Sequence, residues 1–203
     1  STYSQSDTLE IVLSNYFKHY KAPNFNVDKA TVVRAAVQNA DGVFSDVVSQ
    51  TYFVTTSNLA QYQDLTVVSL VTNPENLFDP DTGIYVTGNQ YLDWKNSDAY
   101  NPDKSVWDTD NLTNYFSKGK EWEREAALTV SQDGKAVVDQ NIGIRIKGTS
   151  SRNSAQKNFN LYARSTYGTS KISYPLIPDN YTADGTLIDQ YDSVSLRAVS
   201  EEG

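Results

Sequence analysis

Two alternating runs joined by a tight turn constrain this chain more than any other feature. In EREAALTVSQDGKAVVDQNIGIRIKG, residues 123 to 148, side chains alternate in character on either side of Asp133-Gly134, the signature of an antiparallel β-hairpin. Period-2 alternation places Ile142, Ile144 and Ile146 on one face of a strand and Arg145 and Lys147 on the other. NFNLYAR follows, with Phe159, Leu161 and Ala163 on its inward side. The expected unit is a strand over 142–147, a loop over 148–156 and a strand over 157–164. By the same alternation Lys157 shares the face of Phe159 and Leu161, at the edge of a core. An ammonium group there is costly without an anionic partner, either a carboxylate of the protein or a phosphate of a ligand.

The remaining segments point the same way. Residues 1–54 read as short strands, with LEIVL, FNVD, ATVVRAAVQ and VVSQTYFV separated by turns. Val33, Ala35 and Val37 set against Val48, Gln50 and Tyr52 predict a hairpin with one buried face, turning at Asp41-Gly42. This is a small β-sandwich module, or the end of one. TTSNLAQYQD, residues 55–64, is the linker. A second domain occupies 65–203. LTVVSLVT is a continuous apolar run suited to a strand buried on both faces. NPENLFDPDTGIYVTGN predicts turns around a short Ile84-Tyr85-Val86 strand. Residues 90–120 predict an irregular excursion with a helical turn near Leu112 to Phe116, and ISYPLI and DSVSLRAV are further strands. With 14 Tyr, 7 Phe and 3 Trp in 203 residues, the fold class is mainly β or α+β.

Charge is unevenly distributed. The formal net charge is −8, yet the 39 residues between Asp139 and Asp179 contain no acid and carry Arg145, Lys147, Arg152, Lys157, Arg164 and Lys171. Such segregation attracts an anion locally, while the acidic whole argues against wholesale nucleic-acid binding. The chain has no Cys, which excludes disulfides, thiolate metal sites and cysteine nucleophiles. No apolar run is long enough for a transmembrane helix, so membrane insertion is not expected. The first residues lack a signal peptide, and the Asn/Ser/Thr/Tyr-rich composition fits a mature secreted or surface-attached product.

The loop GTSSRNSAQ is built of small residues whose backbone N–H groups and hydroxyls allow close approach of a phosphate. It matches neither the Walker A spacing nor the kinase glycine-rich pattern. A solvated basic hairpin with Lys157 paired to an internal carboxylate is the competing reading. Elsewhere the signals are weaker. His19 is the single histidine, which disfavours a His-based triad or metal site. Asp79-Pro80-Asp81-Thr82-Gly83 begins like a calcium loop but lacks the later acids, so it reads as a turn, as do Asp108 and Asp110. Glu121, Glu123 and Glu125 lack an evident second carboxylate for glycoside chemistry. No metal site is assigned. Asn111 and Asn180 begin glycosylation-type triplets. Trp94 and Trp107, in DWKNSDAYNPDKSVW, would suit sugar stacking or would anchor the excursion to the core.

Taken in order, LTVVSLVTNPENLFDPDTGIYV, GKEWEREAALTV, VDQNIGIRIKGTSSRNSAQKNFNLYARSTYG and YDSVSLRAV resemble the secreted bacterial branch of the spore-coat CotH kinase family. TVVRAAVQNADGVFSDVVSQTYFV resembles the small β-sandwich module that precedes that domain and ends some chitobiases. The resemblance covers about residues 25–203. It implies an atypical kinase fold that binds ATP and magnesium between lobes and phosphorylates protein Ser or Thr. Its R-x-[RK]-G-x-S-S-R…K pattern places Arg145, Lys147, Ser150, Ser151, Arg152 and Lys157 in the phosphate-facing set, Lys157 taking the part of the strand lysine of ordinary kinases. The family's catalytic and metal-binding acids lie downstream of the D-S-x-x-L-R strand, here Asp192-Ser193 to Leu196-Arg197. The expectation is therefore a β-rich N-terminal portion, inactive by itself, with catalytic residues unknown and exposed edges that favour self-association. The alternative is a non-catalytic surface or adhesion module with a glycan or protein ligand. A third reading, electrostatic capture of anionic polymers by the basic hairpin, would show as binding that falls steeply with salt.

Overall fold

A computed structural model describes residues 30–52, 62, 64–104 and 112–198. The fold is mostly β with few helices. Strands β1 (Thr31–Ala35) and β2 (Val48–Tyr52) form an antiparallel hairpin. β3 (Val67–Val71), β4 (Arg124–Gln132), β5 (Lys135–Lys147), β6 (Asn158–Tyr162) and β9 (Ser193–Leu196) form one antiparallel sheet in the order β3-β4-β5-β6-β9. Between its last two strands the chain makes a two-residue ladder of β7 (Ile172–Ser173) with β8 (Gln190–Tyr191). Helices α1 (Pro74–Phe78) and α2 (Asn89–Lys95) lie between β3 and β4.

The alternation that defined β4 and β5 is realised directly. Asp133 and Gly134 adopt φ of 49° and 71°, the left-handed pair that a two-residue hairpin turn needs and that an Asp-Gly sequence tolerates. Arg124 pairs with Ile144 and Val130 with Val138, and a bulge between Val130 and Ser131 absorbs one register step. Ala126, Leu128 and Val130 from β4, Ile142, Ile144 and Ile146 from β5, and Leu161 from β6 are buried on one face. Non-strand segments cover that face: Ile84 and Tyr115 are fully buried in it, with Leu77, Tyr85, Phe116 and Trp122 packed around them. The sheet is thus one layer, and helices and turns make the other.

Several expectations are corrected. The run at Leu65 to Thr72 forms β3, an edge strand paired only with β4, and its side chains are half-buried or exposed rather than enclosed on both faces. Ile84-Tyr85-Val86 is a turn, because Ile84 and Tyr85 donate their N–H groups back to Asn76 and Leu77 of α1. Part of the stretch expected to be irregular is α2, while the helical turn expected near Leu112 to Phe116 is the 3-10 turn Asn114–Phe116. Of ISYPLI only Ile172–Ser173 pairs as strand. The β1–β2 hairpin exists with Val33 opposite Gln50, but its expected buried face is open: Val33, Val48 and Tyr52 are 52%, 62% and 51% exposed. It meets the large sheet through polar contacts, Gln50 to Asp139 and Thr51 to Ser69. Residues 1–29, and all of the 55–64 linker except Tyr62 and Asp64, lie outside the described residues.

Burial at β5 and exposure at β2 predict unequal costs of truncation. Ile144→Ala should lower the unfolding free energy by about 2–5 kcal/mol, and Val48→Ala by about 0.5 kcal/mol or less. Equilibrium urea denaturation checks this, and equal losses would contradict the assigned core.

Candidate functional site

The connection from β5 to β6 is a compact loop with a 3-10 turn at Ser150–Asn153. Arg152 shapes it. Its Nε donates to the Gly148 carbonyl at 2.7 Å, Nη2 to Ile146 at 2.7 Å, and Nη1 to Tyr115 at 2.7 Å and Ser117 at 3.3 Å. The residue is buried, and burial, aided by the neighbouring Arg145 charge, pulls its pKa below the ordinary arginine value. A guanidinium whose donors end on four main-chain carbonyls ties the end of β5 to the Asn114–Phe116 turn across the core.

Lys157 lies beneath this loop and is 3% exposed. The sequence placed it at a core edge requiring an anion; among the described residues it meets carbonyl dipoles and ring faces. Nζ donates to the Arg152 and Ser154 carbonyls, each at 2.8 Å. It sits 3.8 Å from the ring centroid of Tyr115 and 5.3 Å from that of Tyr85, where the negative ring faces attract a cation. Tyr85 completes the cage: its hydroxyl donates to Ala155 and accepts the Lys157 backbone N–H. Desolvation first, and the Arg152 charge second, lower the Lys157 pKa to about 7. The ammonium is therefore only partly charged at neutral pH.

The other members of the predicted set do not join it. Arg145 and Lys147 project from the opposite sheet face, as alternation required. Lys147 Nζ donates to Ser195 Oγ at 2.6 Å. Arg145 lies over the Tyr162 ring at 4.1 Å and 3.5 Å from a Glu123 carboxylate oxygen. Ser150 is exposed on the loop. Ser151 Oγ turns inward and accepts from Asn158 Nδ2. The six residues thus divide: Ser151, Arg152 and Lys157 turn inward, Ser150 stands exposed on the loop, and Arg145 and Lys147 form an outer pair across the strand.

Glu123 is the internal carboxylate of the basic segment. Its side chain is 1% exposed and takes two hydrogen bonds from Arg164, at 2.7 and 2.9 Å, and one from the Tyr167 hydroxyl. Burial raises its pKa, but the Arg164 hydrogen bonds and charge, with Tyr167 and Arg145, overcome that and hold it below the ordinary glutamate range. Burial and the Glu123 charge push Tyr167 up to about 12, so its hydroxyl remains a donor. Gly143 makes room, since a Cβ there would lie 2.5 Å from Glu123 Oε1. A carboxylate neutralised in this way is a structural pair and not a tuned acid for glycoside chemistry.

Reasoning from the sequence missed Tyr85 and Tyr115, which stand 72 and 42 positions before Lys157; no local spacing links them. Asp79 behaves as a turn residue, accepting from the Asp81 and Thr82 backbone and the Thr82 hydroxyl. Trp94 is half-buried, with its ring 5.8 Å from Tyr91 and 5.2 Å from Tyr100. His19, Trp107, Asp108, Asp110 and Asn111 lie outside the described residues. No three His, Asp or Glu side chains converge among the described residues. No helix among them is long and apolar enough to cross a membrane. No protein-family model, curated protein or solved structure matches the chain.

Because the Glu123 pKa is depressed in the folded state, its contribution to stability is present above the unfolded-state value of about 4.3. That contribution is lost as pH falls through the lower folded value. Glu123→Gln should destabilise the protein by about 3–5 kcal/mol at neutral pH and flatten the acid limb of the stability profile. Thermal melts of the two proteins between neutral and acid pH measure both effects.

Proposed function

We propose that this chain is the phosphate-recognising, β-rich portion of an extracellular CotH-like protein kinase domain, and that Lys157 is its phosphate-contacting cation. The observation that carries the reading is the near-complete burial of Lys157 at the entry to β6, beneath a loop of small residues. Nζ donates to main-chain carbonyls of this same loop, those of Arg152 and Ser154. A phosphate that displaces them would meet the backbone N–H groups of the same loop and the exposed Ser150 hydroxyl. Its negative charge would favour the protonated lysine and raise the pKa from about 7. Arg152 keeps the loop in shape and lies too deep in carbonyl contacts to act as a direct phosphate ligand. Arg145 and Lys147 face elsewhere. Catalytic acids and magnesium ligands are assigned to none of the described residues. A location outside the cell follows from the same resemblance and belongs to this proposal.

A second reading, a non-catalytic glycan-binding module, rests on the Tyr91, Trp94 and Tyr100 cluster, whose half-exposed rings present an aromatic surface on and after α2. Loss of polysaccharide retention in Trp94→Ala, with an unchanged melt, would favour it.

The kinase-like reading predicts that affinity for magnesium-ATP is greatest below pH 7 and falls as pH rises through the Lys157 pKa. Lys157→Ala should weaken binding by at least tenfold, about the worth of one charge-assisted hydrogen bond. Calorimetric titration of the wild-type protein from pH 6 to 8.5 tests this without any substitution in the core. A flat profile would remove Lys157 from the site.

A further inference from the structure

We infer a separate oxyanion site on the outer face of β5, β6 and β9, built for a phosphate-type group, either free or carried as a monoester. It uses the face opposite Lys157 and does not depend on the nucleotide reading. Register places Arg145 opposite Asn160, Asn160 opposite Ser195, and Tyr162 opposite Ser193, so these side chains stand in adjacent rows of one surface. Their hydrogen bonds run in a single direction. Lys147 Nζ donates to Ser195 Oγ at 2.6 Å, and Ser195 Oγ donates to Asn160 Oδ1 at 2.7 Å. Asn160 Nδ2 then donates to the Tyr162 hydroxyl oxygen at 3.0 Å. A hydroxyl that accepts from an amide keeps its own hydrogen to give. The relay therefore leaves donors at both ends: the remaining Lys147 N–H groups and the Tyr162 O–H.

Arg145 adds to this surplus. Its guanidinium stacks over Tyr162, its Nε is buried with no hydrogen-bond partner, and its ion-pair partner Glu123 is already held by Arg164 and Tyr167. Stacking holds the planar fork of an arginine in place and leaves its outer N–H groups for a bidentate acceptor. Arg145 and Lys147, two positions apart on one strand face, are about 7 Å apart along the strand, a span that one tetrahedral oxyanion can bridge. Beside them opens a concavity of about 470 Å³ lined in part by Lys120, Tyr162, Arg164 and Ser193. Its one carboxylate, Asp192, is paired with Lys171 at 2.6 Å. Among the described residues of this cluster, Arg145, Lys147 and Tyr162 thus keep donors that no neighbouring acceptor takes up. A phosphate-type ligand supplies the missing acceptors, and its charge is of the sign this face attracts.

The test is titration of the full chain with inorganic phosphate and with a phosphoserine peptide, followed by backbone amide NMR shifts and calorimetry. Shifts should centre on residues 145–147, 160–162 and 193–195. Lys147→Ala and Tyr162→Phe should each weaken binding by about tenfold, with melting temperatures close to wild type because each removes only a terminal group of the relay. Tighter binding of the peptide would identify a carried phosphate, and equal binding a free ion. Unchanged affinity in both variants, or shifts confined to residues 148–157, would overturn the proposal.

Discussion

The buried guanidinium of Arg152 is the contact on which the rest of this molecule depends. Its hydrogen bonds to Ile146, Gly148, Tyr115 and Ser117 join the end of β5, the loop and the 114–116 turn. A buried arginine is stable only when its donors are met, and main-chain carbonyls meet them here. That choice fixes the loop, and the loop then presents its own carbonyls to Lys157. Two cations consequently share one small region, and the stronger acid yields: the Lys157 ammonium loses affinity for its proton while Arg152 stays charged. Tyr85 and Tyr115 make this tolerable, for their ring faces attract the ammonium whenever it is protonated.

The sheet between them separates two chemistries. Inside, isoleucines of β5 and Leu161 of β6 pack against Tyr115 and Ile84. Outside, the same strands present Arg145, Lys147, Asn160 and Tyr162. A single strand of charge-rich sequence thereby serves two surfaces, and cations close in the chain act on opposite faces of the sheet. Glu123, seated over Gly143, neutralises the end of this outer surface where Arg145 and Arg164 meet.

Much of this was legible in the sequence wherever the determinant was local. Alternation in residues 123–148 sets the strands, their turn and the inward isoleucines, because period and pleat coincide. It also put Arg145 and Lys147 on the face away from Lys157. What was not legible came from distant partners. Leu65 to Thr72 is apolar enough for a central strand, yet only pairing order decides that it forms an edge. Ile84-Tyr85-Val86 has strand-like residues, but hydrogen bonds to α1 curl it into a turn. The carbonyl and aromatic partners of Lys157 were missed because a search for compensating charge overlooks groups that are neutral in sequence and negative in place. The phosphate-facing set implied by family resemblance carries no geometry, and the strand divides it.

The central claim is that Lys157 is a desolvated, partly neutral lysine inside a cage built by Arg152. An NMR titration of the side-chain nitrogens of lysine-labelled protein measures this directly. The Lys157 Nζ signal should titrate with a pKa near 7. A value near the ordinary 10.4 of an exposed lysine would contradict it.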